Sequence, residues 1–231
     1  MRLLLLPGLD GTGFLFEPLL RVLPLNIEAT TISYPATRGL GYQELFAYVS
    51  SQLPSTAPYV LVAESFSGPL AIAIAHQRPE HLQAVVLCAS FLHQPVSKLK
   101  ALLAHLLGRA RFNVRPPVSL VRRYLLGPHA ATSSINKFYS AIATVPFEIL
   151  FERIKNALAV DVREQFYHLQ LPVLWLYAAH DKLLKNPYPA KELRQNSNCV
   201  IKASAAPHLL FQTKPEQACA AIQIFLNDIT N

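Results

Sequence analysis

Acidic residues are missing from His81 to Phe147, in a chain that carries 14 Asp and Glu against 21 Lys and Arg. Cysteine is also scarce. Cys88, Cys199 and Cys219 are odd in number and form no close pair, which excludes a disulfide framework or a cysteine zinc site. They point to reduced thiols in a cytoplasm-like compartment. Charged residues make up only 15% and hydrophobic residues 52%, with 8 Gly and 18 Pro, which excludes a disordered, collagen-like or coiled-coil chain. Long apolar runs are lacking too. The stretch Ala84–Leu92 falls far short of the ~18–20 residues that span a bilayer. At Met1–Gly8 four leucines follow one arginine, shorter than the roughly 7–15 apolar residues of a signal peptide and without a cleavage site. No export signal and a cytoplasmic location are therefore expected.

What is present reads as one α/β domain. At 231 residues the chain exceeds the ~150-residue prior for a domain, yet α/β folds of this length are commonly single. Strands are expected at Arg2–Leu6, Ile27–Ser33, Tyr59–Ala63, Ala84–Cys88, Val173–Tyr177 and Asn198–Lys202. They are β-branched or Leu-rich and mostly continuous rather than alternating, as strands covered on both faces are. Helices are expected at Gly13–Val22, Tyr42–Gln52, Ser67–Gln77, Pro189–Arg194 and Pro215–Asn227. This alternation implies a parallel sheet with helices on both sides.

The rhythm breaks once, between Cys88 and Val173. Ser97–Leu107, Pro117–Leu126, Ser133–Ala143 and Pro146–Leu158 are helix candidates there, punctuated by Pro116-Pro117, Gly127-Pro128 and Pro146. Residues 93–165 hold 11 basic and four acidic residues, so the whole net charge of +7 lies in this segment. The expectation is a core of residues 1–92 and 166–231 carrying a basic helical cap, residues 93–165. Long insertions of this kind are usually functional lids.

Chemistry concentrates at strand ends. Tyr59–Glu64 runs through Ser65-Phe66-Ser67-Gly68 into a helix pattern. Small residues flank Ser65 because strand and helix backbones approach closely in so sharp a turn, which pushes the hydroxyl out above the sheet. The usual form is G-x-S-x-G; here Ala63 and Ser67 stand at the glycine positions. Ser67 is a rival nucleophile, but it occupies the close-packing position. Asp181 follows the strand Val173–Tyr177, and His208 follows the last strand in the small-residue loop Ala203–Pro207. The order Ser65, Asp181, His208 is the one a nucleophile-elbow hydrolase uses. A serine hydroxyl needs a base within hydrogen-bond reach, and that base needs an acceptor to fix its tautomer. Asp161 is a rival acid, but it ends the insert rather than following a strand. Glu64 reads as a packing or site-wall residue. The turn Pro7-Gly8-Leu9-Asp10-Gly11-Thr12-Gly13 after the first strand can aim N–H groups at a developing oxyanion. Leu9 N–H, with Phe66 N–H, is the expected pair. The glycine spacing fits neither dinucleotide nor Walker phosphate loops. No metal or organic cofactor is called for.

These residues make the chain resemble the α/β-hydrolase superfamily over nearly its whole length outside the insert. The implied fold is a mostly parallel sheet of about six strands, the superfamily's opening strand pair being absent, with helices on both faces and a helical cap. Leu6–Gly13, Glu64–Gly68 and Pro207-His208 resemble small bacterial hydrolases. The basic cap and Ile201–His208 are similar to pimeloyl-[acyl-carrier protein] methyl ester esterases of biotin synthesis. That resemblance implies a serine carboxylic ester hydrolase with Ser65 as nucleophile, His208 as base, Asp181 as acid and Leu9 and Phe66 as oxyanion donors. It also implies an acyl ester substrate on an acidic acyl carrier protein, docked on Lys98, Lys100, Arg122, Arg123, Arg153 and Lys155. The alternative starts from Ser97–Arg111, where Lys98, Lys100, Arg109 and Arg111 surround leucines. Such a basic amphipathic stretch suits an anionic membrane surface and a lipid acyl hydrolase, thioesterase or acyltransferase. No nucleic-acid motif accompanies the basic residues, so nucleic acid is not an expected partner.

Overall fold

The structure, a computed structural model, describes residues 1–96, 115–184 and 195–230. The expected helices at Ser97–Leu107 and Pro189–Arg194, and with them Lys98 and Lys100, lie outside the described residues. Six strands form one sheet: β1 (Arg2–Leu6), β2 (Glu28–Thr31), β3 (Tyr59–Glu64), β4 (Leu82–Cys88), β5 (Val173–Ala178) and β6 (Cys199–Ser204). Every adjacent pair is parallel, in the order β2-β1-β3-β4-β5-β6. From β1 the chain moves outward to β2, then crosses to β3 on the other side. Strand order thus reverses at β1 and β3, and the crevice beyond their carboxyl ends is where open parallel sheets bind ligands.

The helices between strands are α1 (Glu17–Val22), α2 (Tyr42–Ser50) and α3 (Gly68–His76). In the insert lie α4 (Val118–Val121), which runs into a π-helical turn Arg122–Leu126, then α5 (Thr132–Ala143) and α6 (Phe147–Ala159). The chain returns through α7 (Arg163–Tyr167) and ends in α8 (Leu210–Thr213) and α9 (Pro215–Thr230). Sequence patterning misses α7 and α8 because each is too short, at 5 and 4 residues, to show a helical period.

Strand periodicity divides the core. Leu4, Leu6, Leu61, Ala63, Val85, Leu87, Val173 and Trp175 face Leu45, Val49, Leu70, Ile74 and Phe166 on one side. Leu3, Leu5, Val60, Val62, Val86, Leu174 and Leu176 face Leu19, Phe211, Ile222, Phe225 and Leu226 on the other. Both faces are covered, which is why the inner strands carry continuous apolar runs such as Leu3–Leu6, Val60–Ala63 and Ala84–Cys88. A third cluster lies within the insert, where Val121, Leu126, Ile135, Phe138, Tyr139 and Ala141 pack on Leu15 and Leu209. The insert leaves and rejoins the sheet at one neck: His93 bridges Asp161, and the Val162 N–H donates to the Leu92 carbonyl at 2.8 Å. None of the described helices is long and apolar enough to cross a membrane.

Candidate active site

β3 ends at Glu64, and the turn Ser65–Ser67 leads directly into α3. Ser65 has φ 48°, a left-handed conformation that L residues rarely adopt and that marks a backbone forced through a tight turn. The close approach behind this turn falls on Gly68. A Cβ there would stand 1.8 Å from Ser90 Oγ, and Ser90 itself donates to the Ser65 carbonyl at 2.6 Å. Ser67 is fully buried. Its hydroxyl donates to the Pro7 carbonyl and pairs with the Tyr34 hydroxyl. It is thereby tied into the scaffold that holds the end of β1, and Ser65 alone of the two presents its hydroxyl to a base.

The loops after β5 and β6 are joined by backbone bonds, Ala179 N–H to Ser204 O at 2.8 Å and His180 N–H to Ala206 O at 2.9 Å. They bring Asp181 and His208 together across 27 residues of sequence. Ser65 Oγ lies 2.9 Å from His208 Nε2, and His208 Nδ1 lies 2.7 Å from Asp181 Oδ2. The other carboxylate oxygen, Asp181 Oδ1, accepts from the N–H groups of Leu183 at 2.8 Å and Leu184 at 3.1 Å. Burial pushes the Asp181 carboxyl up, but the charge of His208 and the hydrogen bonds from His208, Leu184 and Leu183 outweigh it and hold it below its usual range. With Asp181 ionised, Nδ1 carries the proton and Nε2 is free to accept one from Ser65. The rival acid Asp161 is exposed and paired with Arg163.

Beside this line runs the loop after β1. Gly11 N–H closes it on the Gly8 carbonyl at 3.0 Å. Among the described residues the N–H groups of Leu9 and Phe66 have no protein acceptor. Asp10 is buried and accepts from the Thr12 N–H at 2.9 Å and from the Thr12 hydroxyl. Glu64 is buried as well, accepts from Gln212 Nε2 at 3.0 Å, and makes no hydrogen bond to His208.

The cationic residues of the insert divide. Arg123 and Lys155 are exposed, the first beside the Tyr124 ring and the second beside the Phe151 ring. Arg122 is half-buried and donates to the Ala130 carbonyl at 3.4 Å. The expectation that Arg153 belongs to an outer docking surface fails. It is 2% exposed, and its guanidinium points inward to the β1 loop and to Pro35. Helical spacing places a charge on a face, but only packing shows which face is covered. Sequence reasoning also missed Tyr34, Gln212 and Ser90, all without a motif to mark them. Cys88, Cys199 and Cys219 are free thiols held protonated by burial, Cys199 being pushed up to about 12. Among the described residues no cluster of His, Cys, Asp and Glu could hold a metal.

Residues 41–206 match the Hydrolase_4 family, described as serine aminopeptidase, S33. The chain belongs to that family. It is an α/β-hydrolase. No curated protein matches its sequence. Among solved structures it is similar to a bacterial membrane phospholipase A described as a virulence factor, with TM-score 0.80, 16% identity and coverage of 100% of this chain and 79% of the other. A carboxylesterase of the thaumarchaeon Nitrososphaera gargenis gives TM-score 0.81 and 13% identity over 99% of this chain and 90% of its own. MenH from S. aureus gives 0.80 and 14% over 100% and 95%. At these identities the likeness is one of fold.

Proposed function

We propose that the protein is a serine carboxylic ester hydrolase working through an acyl-enzyme. The observation that carries this reading is the unbroken line from Ser65 Oγ through His208 to Asp181, at 2.9 and 2.7 Å. Ser65 attacks the acyl carbonyl while His208 Nε2 takes its proton. Asp181 holds the imidazole in the required tautomer and stabilises the imidazolium that forms. The N–H groups of Leu9 and Phe66 receive the oxyanion. His208 returns the proton to the departing alkoxide, and a water activated by the same base releases the acid.

For the substrate, we propose an acyl ester carried by an acidic acyl carrier protein, a methyl ester of a carrier-bound dicarboxylate such as pimeloyl. The helical insert, residues 93–165, serves as cap and docking face. Its basic excess of +7 supports this, with Arg123 and Lys155 exposed and Arg122 partly so. A second reading, a lipid acyl hydrolase at an anionic surface, draws on Val118 and Leu120. These are 43% and 47% exposed on α4, close in sequence to Arg115, Arg122 and Arg123.

Hydrolysis of p-nitrophenyl esters from C2 to C12 tests the reaction. Ser65→Ala is expected to lower kcat roughly 10⁴–10⁶-fold. Activity retained in Ser65→Ala and lost in Ser67→Ala would overturn the assignment, and cleavage of aminoacyl anilides in preference to esters would move it to peptidase chemistry. For the substrate, carrier-linked turnover should fall with salt while small-ester turnover does not. Binding to anionic but not neutral vesicles would instead favour the lipid reading.

A further inference from the structure

Arg153 reaches out of the insert into the core. It sits on α6, yet its Nη1 donates to two successive carbonyls of the β1 loop, Leu9 O at 3.0 Å and Asp10 O at 2.6 Å. Its Nη2 donates to Pro35 O at 3.2 Å, and its guanidinium stands 5.7 Å from the Tyr34 ring centre. The loop is built around this group. Gly11 has φ +69°, and a Cβ there would come within 2.3 Å of Arg153 Nη1. With Gly11 N–H bound to Gly8 O at 3.0 Å, the turn is closed from within while Arg153 fixes its outward carbonyls. The Leu9 N–H lies in the 8–9 peptide plane, whose carbonyl accepts from the Gly11 N–H of the 10–11 plane that Arg153 holds; because peptide planes are rigid, this chain of contacts limits where the Leu9 N–H points.

We propose that Arg153 is a positioning residue that sets the direction of the Leu9 N–H and makes oxyanion stabilisation depend on a seated cap. The inference rests on the reading of Leu9 as an oxyanion donor. The planar fork is needed because Nη1 holds the two loop carbonyls while Nη2 holds Pro35 O on a separate segment; a lysine ammonium has one nitrogen and cannot bridge both in this geometry. The opposite side of the site is tied to the insert in the same way. Leu209 N–H, next to His208, donates at 2.9 Å to the carbonyl of Leu125 in the π-helical turn. Displacing the insert would therefore release the oxyanion loop and the base loop together. The insert acts as part of the catalytic scaffold, and a ligand that lifts it slows the chemistry.

The test compares Arg153→Met and Arg153→Lys with wild type on a short p-nitrophenyl ester. Arg153→Met is expected to lower kcat roughly 10²–10³-fold, the loss typical of one oxyanion donor, with KM nearly unchanged. Affinity for a trifluoromethyl ketone, which forms the oxyanion on Ser65, should fall in parallel. Millimolar guanidinium should restore part of the rate, whereas a general loss of packing would not be rescued. Arg153→Lys should recover less than the added guanidinium does. Hydrogen exchange of residues 7–13 should quicken in Arg153→Met even in a Ser65→Ala background, a readout independent of the reaction. Unchanged exchange there, or a loss confined to KM, would overturn the proposal. Activity surviving in Ser65→Ala alone would instead overturn the reading of the site, and the exchange result would still judge the clamp.

Discussion

Gln212 donates its side-chain amide to Glu64 at 3.0 Å and to the Leu15 carbonyl at 3.1 Å, pinning a buried carboxyl directly before Ser65. Burial pushes the Glu64 carboxyl up to about 7. The Gln212 hydrogen bond opposes this, the Asp10 charge adds to it, and His208 lowers it. The residue sits under the elbow, where its charge meets Asp10, His208 and the Cys88 thiol.

This group makes stability depend on pH. The native protein holds the Glu64 proton up to about 7, whereas an unfolded Glu releases it near 4.5. Between those values the native state binds more protons, so stability is greatest below the window and falls as pH rises through it. Glu64→Gln should remove that slope, with a gain over wild type at pH 8 of up to roughly 3 kcal/mol that vanishes near pH 4.5. Urea unfolding of both proteins at several pH values measures it; parallel curves would contradict the assignment.

Asp181→Asn should act through the tautomer of His208. The Leu183 and Leu184 N–H groups demand an acceptor at Oδ1, so the new NH₂ must face His208 Nδ1. Nδ1 then becomes an acceptor, the proton moves to Nε2, and Ser65 loses its base. A fall in kcat of roughly 10⁴-fold is expected with the fold intact. Ester kinetics beside a circular dichroism melt check both halves.

Gly68→Ala drives a Cβ to 1.8 Å from Ser90 Oγ and 2.8 Å from Ser90 Cβ. Overpacking of this kind is expected to destabilise by about 1–3 kcal/mol, and the shift reaches Ser65 through the Ser90 bond to its carbonyl. Ser90→Gly should relieve the clash in the double variant. Thermal melts of the three proteins decide it; no recovery in the double variant would place the strain elsewhere.

Tyr34→Phe removes the hydroxyl that pairs with Ser67 while leaving the Ser67 bond to Pro7. A loss of about 1 kcal/mol is expected, because Ser67 keeps its donor role. Ester turnover should change only a few-fold. A loss as deep as that of Ser65→Ala would show that Tyr34 takes part in the chemistry.

Much of the sheet is legible in the sequence because its inner strands carry continuous apolar runs, from Leu3–Leu6 to Val173–Leu176. Burial on both faces leaves little place for polar residues, and that constraint acts on each residue separately. The edge strand β2 extends only over Glu28–Thr31, within the expected Ile27–Ser33, because one flank lacks a partner. Ser65, Asp181 and His208 stand out for a similar local reason, each following a strand.

The sequence by itself determined the parallel alternation, the place of the sharp turn at Ser65 and the concentration of basic charge between His93 and Gln165. Tertiary structure alone decided how those charges are used. Arg153 and Lys155 are two positions apart on one helix, yet the first is buried against Leu9 and Asp10 while the second is exposed. It also decided that Glu64 is matched with Gln212, 148 residues away, and that Gly68 rather than Ser67 meets the next strand end. Period and propensity are set by neighbours along the chain. Desolvation, hydrogen-bond pairing and close approach depend on segments that only the folded sheet brings together.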